Sequence, residues 1–105
     1  MGDTKVPKTK EELRSALAAA SFLQGKLTVE QRDAFIETVR YRDGGLGHMD
    51  YGPIKAALDA ADFEKFLNLL GITDQMFARF KGSFCDGSTC QPGGDNYCDP
   101  AHCHP

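Results

Sequence analysis

Asp43-Gly-Gly-Leu-Gly-His-Met-Asp-Tyr-Gly52 separates two runs of helical periodicity, and the fold class turns on whether it is loop or strand. As a Gly-rich loop it is a flexible connector between helices, and the chain is then all-α. Gly44, Gly45 and Gly47 follow a helical run rather than a strand. They match neither G-x-G-x-x-G nor the P-loop and have no Lys-Ser/Thr pair, so they are not a phosphate cradle. Asp43 and Asp50 lack EF-hand spacing. His48 reads as a solvated loop residue.

On the N-terminal side, Thr9-Lys-Glu-Glu12 and Thr28-Val-Glu-Gln31 each fit a capping box, in which a threonine hydroxyl bonds the third helical N–H. Leu13, Leu17 and Ala20 share a helical face, and Gly25 is a natural stop. Phe35, Ile36 and Val39 continue a second helix, with Asp43-Gly44-Gly45 ending the run. On the C-terminal side, Pro53 suits a first helical turn. Ile54, Ala57, Leu58 and Ala61 form one stripe, and Phe63, Phe66, Leu67 and Leu70 form a rotated one. The rotation predicts a break near Ala60–Asp62, with Asp62 as N-cap. Gly71 stops that helix. Thr73 caps a last one, with Ile72 against Phe77 as a hydrophobic staple and Phe80 facing inward. No β alternation of useful length stands out. The expected fold is a small all-α bundle of four or five short helices, residues 1–82, followed by an irregular Cys-rich tail, residues 83–105. Every cap, stop and stripe ends by Gly82, so the front is expected to fold on its own.

The chain has 105 residues, enough for one domain and an appendage. Its net charge is −3, which gives no reason to expect a nucleic-acid or anionic-membrane partner. The charge is unevenly placed. Residues 83–105 contain no Lys or Arg but hold Asp86, Asp95 and Asp99, so the tail carries the whole deficit. The longest apolar stretch, Ala16 to Leu23, is far short of the roughly 18 residues of a membrane span. Glu11, Glu12 and Arg14 before it argue against a secretory signal, so a cytoplasmic location is expected.

All four cysteines, Cys85, Cys90, Cys98 and Cys103, lie in the tail, with His102 and His104. The tail is a duplication. Phe84-Cys-Asp-Gly-Ser-Thr-Cys-Gln-Pro92 and Tyr97-Cys-Asp-Pro-Ala-His-Cys-His-Pro105 are two nine-residue copies, joined by Gly93-Gly94-Asp95-Asn96. Asp-Gly and Asp-Pro at the unit centres bias a turn, which brings the two cysteines of each unit together. Apart from Phe84 and Tyr97 the tail has little to bury, so it needs a cross-link, a metal or a covalent modification to hold a shape.

Each of those three is a candidate. Cysteines spaced C-x4-C-x7-C-x4-C, with His102 and His104 as auxiliaries, supply soft ligands for Zn²⁺ or Cu(I); an iron–sulfur site matches only the x4 element. A four-thiolate zinc site leaves two negative charges that the tail has no cation to offset. Disulfides allow three pairings, of which Cys85–Cys90 with Cys98–Cys103 fits one bridge per unit. These bridges need an oxidising compartment.

The third candidate follows from the whole architecture. A capped helical front and a short repeated Cys-rich C-terminus resemble precursor peptides of ribosomally made, post-translationally modified peptides. That resemblance implies a leader-like domain, residues 1–82, read by a tailoring enzyme, and modification of Cys85, Cys90, Cys98 and Cys103, with the shared Asp86 and Asp99 beside them. It also implies a processed tail that can later be exported. No catalytic constellation is evident: His102 and His104 flank Cys103, but sequence neighbours point apart. The leading expectation is therefore a non-catalytic precursor without an intrinsic cofactor, ahead of a zinc- or copper-binding protein and a disulfide-stapled interaction module.

Overall fold

The computed structural model describes residues 6–103. Helix α1 (Lys10–Ala19) is followed by a 3-10 turn (Ser21–Leu23), α2 (Val29–Thr38), β1 (Arg40–Arg42), β2 (Gly45–Asp50), α3 (Gly52–Ala57), α4 (Ala60–Leu69), α5 (Asp74–Phe80), β3 (Lys81–Asp86), β4 (Thr89–Cys98) and a last 3-10 turn (Pro100–His102). The strands form one antiparallel sheet in the order β1-β2-β4-β3. The expected all-α class is thus corrected to mixed α/β, and the tail is two strands and a turn rather than irregular chain.

The helix starts follow their caps. Thr9 accepts from the Glu12 N–H at 3.1 Å, and Thr73 accepts from Met76 at 3.1 Å. Thr28 and Gln31 complete a reciprocal capping box. The break between α3 and α4 falls earlier than expected. Asp59, not Asp62, is the N-cap, accepting from the Asp62 N–H at 2.8 Å. Asp62 is instead 6% exposed and paired with the Lys26 ammonium, with the Lys65 nitrogen 3.9 Å away.

The Gly-rich stretch is the main correction. Helix α2 stops at Thr38, Val39 is extended, and Asp43-Gly44 forms the tip of a β1–β2 hairpin. Asp43 and Gly44 have φ of 54° and 76°. Positive φ at both central residues defines the type I′ turn, for which Asp-Gly is a preferred pair. Gly45 and Gly47 answer a different demand. A Cβ on Gly45 would overlap the His102 ring, and one on Gly47 would overlap the His102 carbonyl oxygen. The Asp99 N–H donates to the Gly47 carbonyl at 3.0 Å. The final turn of the chain therefore rests directly on β2.

Gly82 falls inside β3, and β4 pairs with β2 through His48–Cys98, Met49–Tyr97 and Asp50–Asn96. One sheet thus runs across the 82/83 boundary. Tyr97 is 1% exposed and meets Phe80 edge-on at 5.8 Å. The core joins Leu13, Leu17, Phe35, Ile36, Phe66 and Leu67 from the helices to Met49, Tyr51 and Tyr97. Phe77, Phe80 and Ala20, expected inside, are partly buried at its margin.

Candidate functional site

The two copies of the nine-residue unit fold differently. In the first, Gly87 takes φ 68° and turns β3 into β4, placing Cys85 opposite Cys90 in the ladder. In the second, Pro100 stands where Gly87 does, and proline is held near φ −65°. The chain there makes a 3-10 turn, with the Asp99 side chain accepting from Ala101 N–H at 3.0 Å.

Between the copies the β3–β4 register jumps from Ser83–Pro92 to Lys81–Tyr97, so residues 93–96 bulge from the ladder. A Cβ on Gly93 would meet the Phe84 ring, so glycine lets the bulge close with Phe84 packed over it. Eight residues of straight strand would span roughly 26 Å. The bulge brings Cys90 and Cys98 to a Cα separation of 5.8 Å, and they are disulfide-bonded. Cys85 is bonded to Cys103, with Cα atoms 5.7 Å apart. The one-bridge-per-unit pairing is therefore corrected: both bridges cross between units. The turn does bring Cys85 and Cys90 face to face, but their partners lie elsewhere.

The bridges are not separate staples. The sulfurs of Cys85, Cys98 and Cys103 all lie within 4.8 Å of one another, and Cys90 is bonded to one of them. Cys98 and Cys103 are 0% and 2% exposed, whereas Cys85 and Cys90 are half-buried. Cysteines from β3, the end of β4 and the final turn thus bring three sulfurs together, and Cys90 is tied to them through Cys98.

The other candidate residues are not brought into this cluster. His102 donates its Nδ1–H to the Arg42 carbonyl at 2.9 Å, with its ring over Gly45. Asp99 caps the last turn, and Asp86 lies exposed at the end of β3, its carbonyl accepting from Thr89. His104 lies outside the described residues. Among the described residues, the group of cysteines, histidines and carboxylates close enough to share an ion is Cys85, Cys98 and Cys103.

Arg40, His48 and Cys98 form one cross-strand row, and Lys81 pairs with Tyr97 beside it. Residues two strands apart in such a row are roughly 10 Å apart. The Lys81 ammonium does not join the sulfurs, since it lies 5.9 Å from the Phe77 ring, and Tyr97 faces the opposite side of the sheet from Cys98. His48 pins the row: its Nδ1 donates to the Thr38 carbonyl at 2.8 Å, and Nε2 lies 3.0 Å from Asn96 Oδ1. Sequence reasoning missed the place of His48 and Arg40 in this row. The signal that could have found them is Asp43-Gly44, a hairpin pair read as loop. No protein-family model, curated protein or solved structure matches the chain.

Proposed function

We propose that this is a small metal-binding protein whose reduced four-cysteine cluster holds one soft ion, Zn²⁺ or Cu(I). The observation that carries the proposal is the convergence of Cys85, Cys98 and Cys103 within 4.8 Å, with Cys90 attached to the same group. At a Zn–S length of about 2.3 Å, tetrahedral sulfurs stand roughly 3.8 Å apart. Reduction of both bridges frees four thiols on strands that already stand side by side. Burial of Cys98 and Cys103 suits a structural site, which keeps no open position.

The compartment follows from the same chemistry. In a reducing cytoplasm the thiols are free to bind metal, while in an oxidising compartment the two bridges persist. No described helix is long and apolar enough to cross a membrane. A tailoring enzyme acting on this chain as a precursor would meet Cys98 and Cys103 only before the sheet closes, because both are buried in the fold.

The test is metal content. Protein purified under reducing conditions without chelator should carry close to one equivalent of zinc or copper per chain. Less than about a tenth of an equivalent, with no tight uptake on titration, would end the proposal.

A further inference from the structure

The oxidised cluster has a property that metal binding does not require. Each bridge joins one half-buried cysteine, Cys85 or Cys90, to one buried cysteine, Cys103 or Cys98. The two buried sulfurs and that of Cys85 lie within 4.8 Å of one another. The two half-buried residues stand opposite each other across the β3–β4 ladder. A thiolate released inside this cluster therefore has a second disulfide within reach.

We propose that the cluster is a thiol–disulfide exchange site. It takes an external thiol at its half-buried sulfurs and switches the chain between two bridge pairings. An external thiolate attacks Cys90 Sγ; a mixed disulfide forms there, the Cys90–Cys98 bond breaks, and the electron pair leaves on Cys98. The Cys98 thiolate attacks Cys103 Sγ, forming Cys98–Cys103 and releasing Cys85 as thiolate. Cys85 then attacks Cys90 Sγ across the ladder, forming Cys85–Cys90 and expelling the external thiolate. Nothing is oxidised or reduced overall, and the thiol is recovered. Attack at Cys85 runs the same cycle through Cys103, Cys98 and Cys90. The product pairing has one bridge within each nine-residue unit.

The two pairings differ in what they hold. In the crossed pairing, Cys85–Cys103 ties β3 to the final turn. In the local pairing that tie is gone, and the turn keeps its contacts with β2, such as the Asp99 N–H on the Gly47 carbonyl. Exchange thus releases the β3–β4 hairpin tip from the C-terminus. The third pairing, Cys85–Cys98 with Cys90–Cys103, is disfavoured because Cys90 lies opposite Cys85 and is not among the three mutually close sulfurs.

The tail makes the test direct. Cleavage before Asp86, Asp95 and Asp99 places each cysteine on a separate peptide. Fully oxidised protein is equilibrated without oxygen in substoichiometric β-mercaptoethanol, trapped with N-ethylmaleimide, cleaved, and mapped by mass spectrometry without reduction. Crossed and local pairings should both be present at equilibrium, the lesser on the order of a tenth of the chains, whichever predominates at the start. A single persistent pairing, or replacement by Cys85–Cys98 with Cys90–Cys103, would overturn the proposal. In Cys90→Ala, the Cys98 thiol should exchange with no added thiol, so that Cys85–Cys103 and Cys98–Cys103 bridges are both recovered. Recovery of Cys85–Cys103 alone would also overturn it. Neither experiment contains metal, so their outcome is separate from that of the metal titration.

Discussion

Gly47 lies directly beneath His102: any side chain at position 47 would run into the His102 carbonyl oxygen, and the same glycine's carbonyl accepts the Asp99 N–H at 3.0 Å. This contact between a mid-chain strand and the last turn holds the Cys103 arm of the sulfur cluster in place. Gly47→Ala should therefore cost about 1–3 kcal/mol by overpacking and loosen the C-terminal turn. Gly44→Ala meets no atom within 4 Å and should cost only the strain of its φ of 76°, about 1 kcal/mol. Urea unfolding of both variants checks the difference. Equal costs would mean that the turn does not rest on β2.

The helical half was legible because caps and stops are local. Thr9, Thr28 and Thr73 need only a helix to follow them, and a glycine at positive φ such as Gly71 ends a helix whatever lies beyond; Gly25, expected to stop the first helix, follows only the 3-10 turn, because α1 already ends at Ala19. The sheet was not legible because its strands carry little alternation. β1 has three residues, and β2 uses glycines at 45 and 47 where a hydrophobic pattern would be expected. Those glycines are explained by the turn at 100–102, more than fifty residues away, which no local pattern contains. The cysteine cluster was legible as a set, since all four were singled out together. Its pairing was not, because the bulge at 93–96 and the proline at position 100 make two similar sequences fold differently.

A chain ending at Gly82 should lose cooperative unfolding. It would lack Tyr97, which pairs with both Lys81 and Met49, and would leave β2 and Phe80 without their partners. A thermal melt followed by far-UV circular dichroism checks this. A sharp transition for residues 1–82 would show instead that the helices alone suffice.

The bridges should stabilise the metal-free protein unequally. Loop-closure entropy for separations of 18 and 8 residues corresponds to about 3 kcal/mol for Cys85–Cys103 and about 2.5 kcal/mol for Cys90–Cys98. The smaller loop lies inside the larger, so the two single losses should sum to less than the loss in the quadruple variant. Denaturant melts of Cys85→Ala/Cys103→Ala, Cys90→Ala/Cys98→Ala and the quadruple variant measure this.

Alkaline pH should unfold the protein in a defined window. Burial pushes Tyr97 and Tyr41 from 10.0 up to about 12, aided by the negative charge of Asp99 and Glu12 respectively. In the unfolded chain both lose their protons near the ordinary value. Above it the unfolded state binds fewer protons, so stability falls as pH rises from 10 toward 12. Below 10 this contribution is fully present. Tyrosinate absorbance should rise with the loss of helical signal, and Tyr97→Phe should remove part of the pH dependence. An absorbance rise complete near pH 10 in a still-folded protein would contradict the burial of these rings.

In the proposed site four thiols converge on one metal ion. An anaerobic Co²⁺ titration of the fully reduced protein tests it most directly, since cobalt reports both coordination geometry and thiolate ligation in its visible and near-ultraviolet absorption. A tetrahedral thiolate spectrum should appear and saturate at one equivalent. Intensity should fall in each of the four Cys→Ser variants, be unchanged in His102→Ala, and bleach on addition of Zn²⁺. Absence of thiolate-to-cobalt bands, or equal intensity with any one cysteine removed, would contradict it.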